Sequence, residues 1–153
     1  MTNDNIISAT IPNDIQNYLN NFIDTRINLI QLLEKLPETR LSSRTKRDGW
    51  TLRHQLSWIF ALDSELNARL SIASGKMSIQ QNWRRIRGEA MHKIQPLRLS
   101  EITTNLESSG KSIFDLMNDN EQYLSESMVV DVLKIHMRDS QELKSHLENI
   151  LSN

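Results

Sequence analysis

Apolar residues recur along this chain at intervals of three and four and do not alternate, so the pattern predicts helices rather than strands. A first long helix is expected from about Pro12-Asn13 to Leu36, where Pro37 ends it. Its inward stripe is Ile15, Leu19, Phe22, Ile23, Ile27, Ile30, Leu33 and Leu36. The second starts at Thr51, follows Leu52, Leu56, Ile59, Leu66 and Leu70, and stops after Ala73 at Ser74-Gly75. The third is expected from Ser100, an N-cap followed by an acidic first turn, with Ile102, Leu106, Ile113, Leu116 and Met117 inside. The fourth starts near Ser125 or Ser127 and carries a seam of Val129, Leu133, His136, Ser140, Leu143, Leu147 and Ile150.

The link between the second and third helices, about 25 residues, is longer than antiparallel neighbours need. Within it, Ile79, Trp83, Ile86, Ala90 and Ile94 predict a short helix lying along the bundle. A crossover of this length lets helices two and three run in the same direction. The expected fold is all-α: one four-helix bundle domain over 1–153, up-down-down-up.

Composition narrows the function classes. With 153 residues and 38% hydrophobic content the chain can bury a proper core. Four glycines and three prolines argue against a turn-rich β fold. A net charge of −1 gives no general attraction to nucleic acid or to anionic membrane. The absence of cysteine excludes disulfides and thiolate metal sites and fits the cytoplasm. No uncharged apolar run approaches the roughly 20 residues that span a bilayer, and Met-Thr-Asn-Asp-Asn does not read as a signal peptide. A cytoplasmic protein with no membrane partner is the expectation.

The most informative stretch is Asp48-Gly49-Trp50-Thr51-Leu52-Arg53-His54-Gln55-Leu56-Ser57-Trp58. Asp-Gly favours a turn, and Thr51 offers a hydroxyl to an unpaired N–H of the first helical turn. The run resembles the second-helix start of the DinB-like four-helix bundles, which include bacillithiol-type transferases and mycothiol-dependent maleylpyruvate isomerases. Their pattern is roughly Gly-Trp-Thr-Val-Arg-Asp-Gln-Leu-Ala-His. The family's metal-binding histidine ends that pattern, and this chain has Trp58 there. The resemblance also implies the up-down-down-up arrangement and a His-x-x-x-His pair on the last helix. Here Ser145-His146-Leu147-Glu148-Asn149-Ile150 resembles the final histidine with its sequel, and Glu142 stands four residues earlier. In activity it implies a metal-dependent thiol transferase or isomerase acting on a small anionic molecule, here with a degenerate metal site.

His54 lies one turn before Trp58 on the same face, about 6 Å along the axis. In a first turn the helix dipole favours its neutral, metal-binding form. With helices two and four antiparallel, His54, Glu142 and His146 would approach one another as a set suited to zinc, nickel or iron(II). A metal-free bundle that binds a small molecule or self-associates is the alternative of equal standing. His136, on the inner seam, reads as a core histidine bonded to a hydroxyl or carboxylate, with Asp139 and Ser140 in local reach. A single Glu89-x-x-His92 is best ascribed to chance.

Two basic clusters, Arg40 to Arg53 and Arg84 to Arg98, are expected near the His54–His146 end, with Asp115, Asp119, Glu121, Glu126 and Asp131 at the other. Arg53, Arg84 and Arg87 are the candidate cofactor-binding residues, since guanidinium forks suit a carboxylate-bearing or thiolate-bearing ligand. Only Trp50 and Trp83 interleave these clusters, so no nucleic-acid partner is expected. Trp50 should be substantially buried, and Trp58 should partly fill the pocket of the missing histidine. Tyr18, Leu29 and Leu32, with Trp58, Phe60, Ala61 and Leu62, widen the apolar faces beyond one stripe, which predicts a homodimer unless the Trp83–Ile86 connector covers them.

Overall fold

A computed structural model describes the backbone of residues 2–78 and 80–152 and the side chains from Gln16 to Ser152, Ile79 excepted. Among these residues there are five α-helices and no strand: α1 (Thr2–Glu34), α2 (Leu52–Ala73), α3 (Trp83–Ile94), α4 (Leu99–Asp119) and α5 (Ser127–Ser152). The fold is all-α. The expected inward positions Ile15 and Ile79 lie outside the described side chains. Among the described residues no helix is long and apolar enough to cross a membrane.

Local chemistry explains most boundaries. Gly49, at φ 77°, sits third in a turn closed by Trp50 N–H donating to the Arg47 carbonyl at 3.0 Å, a position that glycine takes without strain. Thr51 then caps α2, its hydroxyl accepting from His54 N–H at 3.3 Å. At the other end Gly75, at φ 80°, donates to the Ile72 carbonyl and Lys76 to that of Ser71, the paired bonds of a Schellman stop.

Two expected starts move. α1 begins at Thr2 rather than near Pro12, and runs through a proline that would more often mark a first turn. The third long helix, α4, begins at Leu99 rather than Ser100. Its first N–H groups are met by carboxylates instead of a serine: Glu101 accepts from Arg98 N–H, and Glu38, 61 residues back, accepts from Leu99 N–H at 2.8 Å. Both place negative charge at a helix N-terminus, where it is favoured.

α1 packs on α4 and α5, α2 on α5 and α4, and α3 lies along α2. The core runs through Leu19, Leu33, Leu56, Ile59, Leu66, Ile102, Leu106, Leu133 and Leu143, all buried. Successive α2 residues meet successively earlier α5 residues: Trp58 bonds Asp139, Asp63 bonds His136, and Arg69 bonds the Met128 carbonyl. These two helices therefore run antiparallel. On α1 the stripe is rotated from the expected one, with Leu29 buried and Ile27 49% exposed. The wide apolar face of α2 is covered within the chain. Ala61 and Leu62 are buried, while Arg87 and Lys93 of α3 lie over the Trp58 and Phe60 rings.

Candidate functional site

Gln55 of α2 and His146 of α5 line one cavity of about 270 Å³, with Thr45, Lys46, Glu142, Ser145 and Asn149. Gln55 belongs to the apolar face of α2, three residues after Leu52 and four before Ile59, and is 2% exposed. His146 and Glu142 stand one turn apart on α5. The loop before α2 supplies Thr45 and Lys46 and is held in a hairpin-like shape by Leu52 N–H donating to the Ser43 carbonyl and Thr45 N–H to that of Trp50.

Arg47 fastens this loop to α5. Its guanidinium pairs with Asp139 at 2.7 Å and Glu142 at 3.3 Å and lies over the Trp50 ring at 4.7 Å. The Trp58 indole N–H donates to Asp139 at 2.8 Å. Burial alone would raise the Asp139 carboxyl; the bonds from Trp58, Arg138 and Arg47 outweigh it and hold that group below the usual carboxylate range. Burial, reinforced by the Lys46 charge and only partly opposed by Glu142, lowers His146 from its ordinary value and keeps the ring neutral at pH 7. Two buried side-chain polar atoms among the described residues have no hydrogen-bond partner, Gln55 Oε1 and His146 Nε2; their residues line this cavity, but the two atoms themselves are closed to it.

The residues expected to form the site separate. Glu142 and His146 share the cavity, but the His54 ring stacks on Trp50 at 4.2 Å between centroids and does not line it. Trp50 is half-buried rather than enclosed, because Arg47 and His54 cover it and the rest meets solvent. Trp58 is half-buried and turned to Asp139. Arg53 donates to the Gln95 and Leu97 carbonyls, Arg87 pairs with Glu65 at 2.6 Å, and Arg84 is exposed on α3. The three arginines therefore do not converge on the cavity. Among the described residues no three His, Cys, Asp or Glu side chains are placed to hold a metal ion. With Trp58 in place of a ligand and Glu142 paired to Arg47, the donor set does not fit a three-ligand metal site.

A second polar cluster lies deeper. Asp63, 2% exposed, accepts a bidentate pair from Arg26 at 2.8 and 3.0 Å, a bond from Ser109, and His136 Nε2–H at 2.6 Å. His136 is thus bonded to a carboxylate and, at 3.0 Å, to Ser140, but the carboxylate is Asp63 of α2 rather than its neighbour Asp139. Burial pushes the Asp63 carboxyl up; the Arg26 charge and the His136 bond overcome this and hold it far below the usual range. Gly110 makes room for the Arg26 side chain, since a Cβ there would stand 2.5 Å from Nη1. The sequence signal for this cluster was a charge on an apolar stripe: Arg26 four residues after Phe22, Asp63 four after Ile59.

Comparison of the chain with family models, with curated proteins and with solved structures gave no match.

Proposed function

We propose that this chain is a DinB-like, up-down-down-up bundle that works without a metal and binds a small anionic molecule in the Gln55–His146 cavity. The topology reading is supported by α1 meeting α4 at Arg26–Leu106, by Glu38, just after α1, meeting Leu99 at the start of α4, and by α2 meeting α4 at Asp63–Ser109. The observation that carries the function is the cavity of about 270 Å³ that Gln55 of α2, Lys46 of the preceding loop and His146 of α5 line together. Lys46, exposed at the rim with no ion pair among the described residues, supplies the cation for an anionic group.

Thermal unfolding of untagged, dialysed protein tests this reading. Benzoate at millimolar concentration is expected to raise Tm by mass action, and Lys46→Met to abolish the rise. Stoichiometric zinc or nickel binding that disappears in His146→Ala would replace this reading with a metal-dependent transferase or isomerase.

Self-association is proposed separately, on a groove between α1 and α4 where Ile23, exposed Ile27 and Phe114 leave apolar surface uncovered. Light scattering at micromolar concentration is expected to give about twice 17.8 kDa, and a monomer mass rejects it.

A further inference from the structure

The groove between α1 and α4 carries a charge pattern that identifies what covers it. Its apolar residues are Ile23, Ile27, Ile30 and Phe114, and Ile27 is 49% exposed. On the α4 side Glu107, Lys111 and Asp115 follow one another at intervals of four, so they stand on one face of the helix, all three exposed. Glutamate four residues before lysine is the favoured order for an ion pair along a helix. Here no such pair forms. Among the described residues Glu107, Lys111 and Asp115 take part in no salt bridge within the chain.

The relative level of the two helices sets the next condition. Arg26 of α1 reaches the Leu106 carbonyl and lies against Gly110. Ile27, the next residue, is therefore level with the stretch of α4 between Glu107 and Lys111, and it shares the groove with both. A twofold axis across the helices at this level lays α1 on the partner's α1 and α4 on the partner's α4, each pair antiparallel. Ile27 then meets the partner's Ile27. By the same operation Glu107 meets the partner's Lys111, and Lys111 the partner's Glu107. Asp115 comes opposite the partner's Thr103, a hydroxyl rather than a carboxylate. A twofold axis along the helices would instead lay α1 on the partner's α4. Glu34 and Glu107, which line the same end of the groove, would then face each other across the interface, and the like charges count against it.

We infer that a second copy of this chain covers the groove, α4 against α4 in antiparallel register, through reciprocal Glu107–Lys111 pairs on either side of an Ile27–Ile27 contact. A foreign helix would have to carry an acid and a base at the matching spacing; a second copy has them by symmetry. The inference rests on the self-association proposed above and gives it a register.

Light scattering of the full chain over a dilution series measures the dimer dissociation constant. Glu107→Lys and Lys111→Glu each create two like-charge pairs, and each is expected to weaken the dimer about tenfold or more. An equimolar mixture of these two variants should recover a mass of about twice 17.8 kDa, because every charge then faces its opposite across the interface. No contact within one chain can produce that recovery. Ile27→Asp should leave a monomer. The replaced side chains are all exposed, and unfolding curves check that the variants keep the fold. A wild-type dimer that Ile27→Asp splits, but that either charge variant leaves as tight as before or the mixture fails to recover, would overturn this register and leave association through the groove standing. A wild-type monomer, or a dimer that Ile27→Asp leaves intact, would overturn both.

Discussion

Two polar clusters occupy the same bundle, and they differ in how completely their hydrogen bonds are met. Around Asp63 every strong group has a partner: Arg26 forks onto both carboxylate oxygens, with a further N–H on the Leu106 carbonyl, and His136 uses both ring nitrogens. Beside His146 the wall is incomplete, with an amide oxygen and an imidazole nitrogen buried and unbonded. Buried charge closed on itself specifies how helices pack. Buried polarity left open destabilises the protein that carries it. The Asp63 cluster accordingly belongs to the architecture, and the cavity beside Gln55 is where binding is proposed.

Replacing Asp63 should separate the two most sharply. Asp63→Asn keeps the shape but leaves the Arg26 guanidinium, 4% exposed, without its counter-charge. A loss of about 3–5 kcal/mol in urea-unfolding free energy is expected, the cost of breaking a buried pair from one side. A loss below about 1 kcal/mol would mean that the cluster does not hold the bundle together.

Gly110→Ala attacks the same cluster through space rather than charge. The new methyl group would displace Arg26, so a loss of about 1–3 kcal/mol is expected, against the slight gain that Gly→Ala gives in an open helix.

Acid provides the titration form of the comparison. The Asp63 carboxyl is depressed in the folded state, so its contribution is fully present above the unfolded carboxylate value near 3.9 and is lost as pH falls below about 4 toward the folded value. Stability measured from pH 6 to pH 2 should fall most steeply below about 4, and Asp63→Asn should flatten that fall.

The smallest expected effect has the opposite sign. Gln55→Leu removes an unmet buried acceptor, so the protein should be unchanged or gain up to about 1 kcal/mol. A loss comparable to that of Asp63→Asn would place Gln55 among the structural residues.

The helices were legible because their signals are local. The 3.6-residue spacing of Leu52, Leu56 and Ile59, glycine at a turn and at a helix stop, and proline after Leu36 act over one or two turns. Capping of α4 was misread because its acceptor, Glu38, arrives from 61 residues away. At the cavity the structure brings in Gln55 where the sequence drew attention to His54. His54 is chemically more conspicuous than Gln55, but Gln55 keeps the phase of Leu52 and Ile59, and the phase decides which side chain meets α5. The Asp63 cluster left only the mark of charges on an apolar stripe; its bonds join residues 37 to 80 positions apart, and no local pattern encodes such pairings.

The crossover adds a point about how the chain could be divided. Lys76, Met77 and Ser78 are exposed just beyond the Gly75 stop, while the far end of the link is tied to α2 by Arg53 on the Gln95 and Leu97 carbonyls. A single tryptic cut after Lys76 would yield one piece with α1 and α2 and another with α3, α4 and α5. Each piece holds only part of the core, for α1 packs on α4 and α5 and α2 on all three. The nicked molecule should therefore stay assembled as a non-covalent heterodimer.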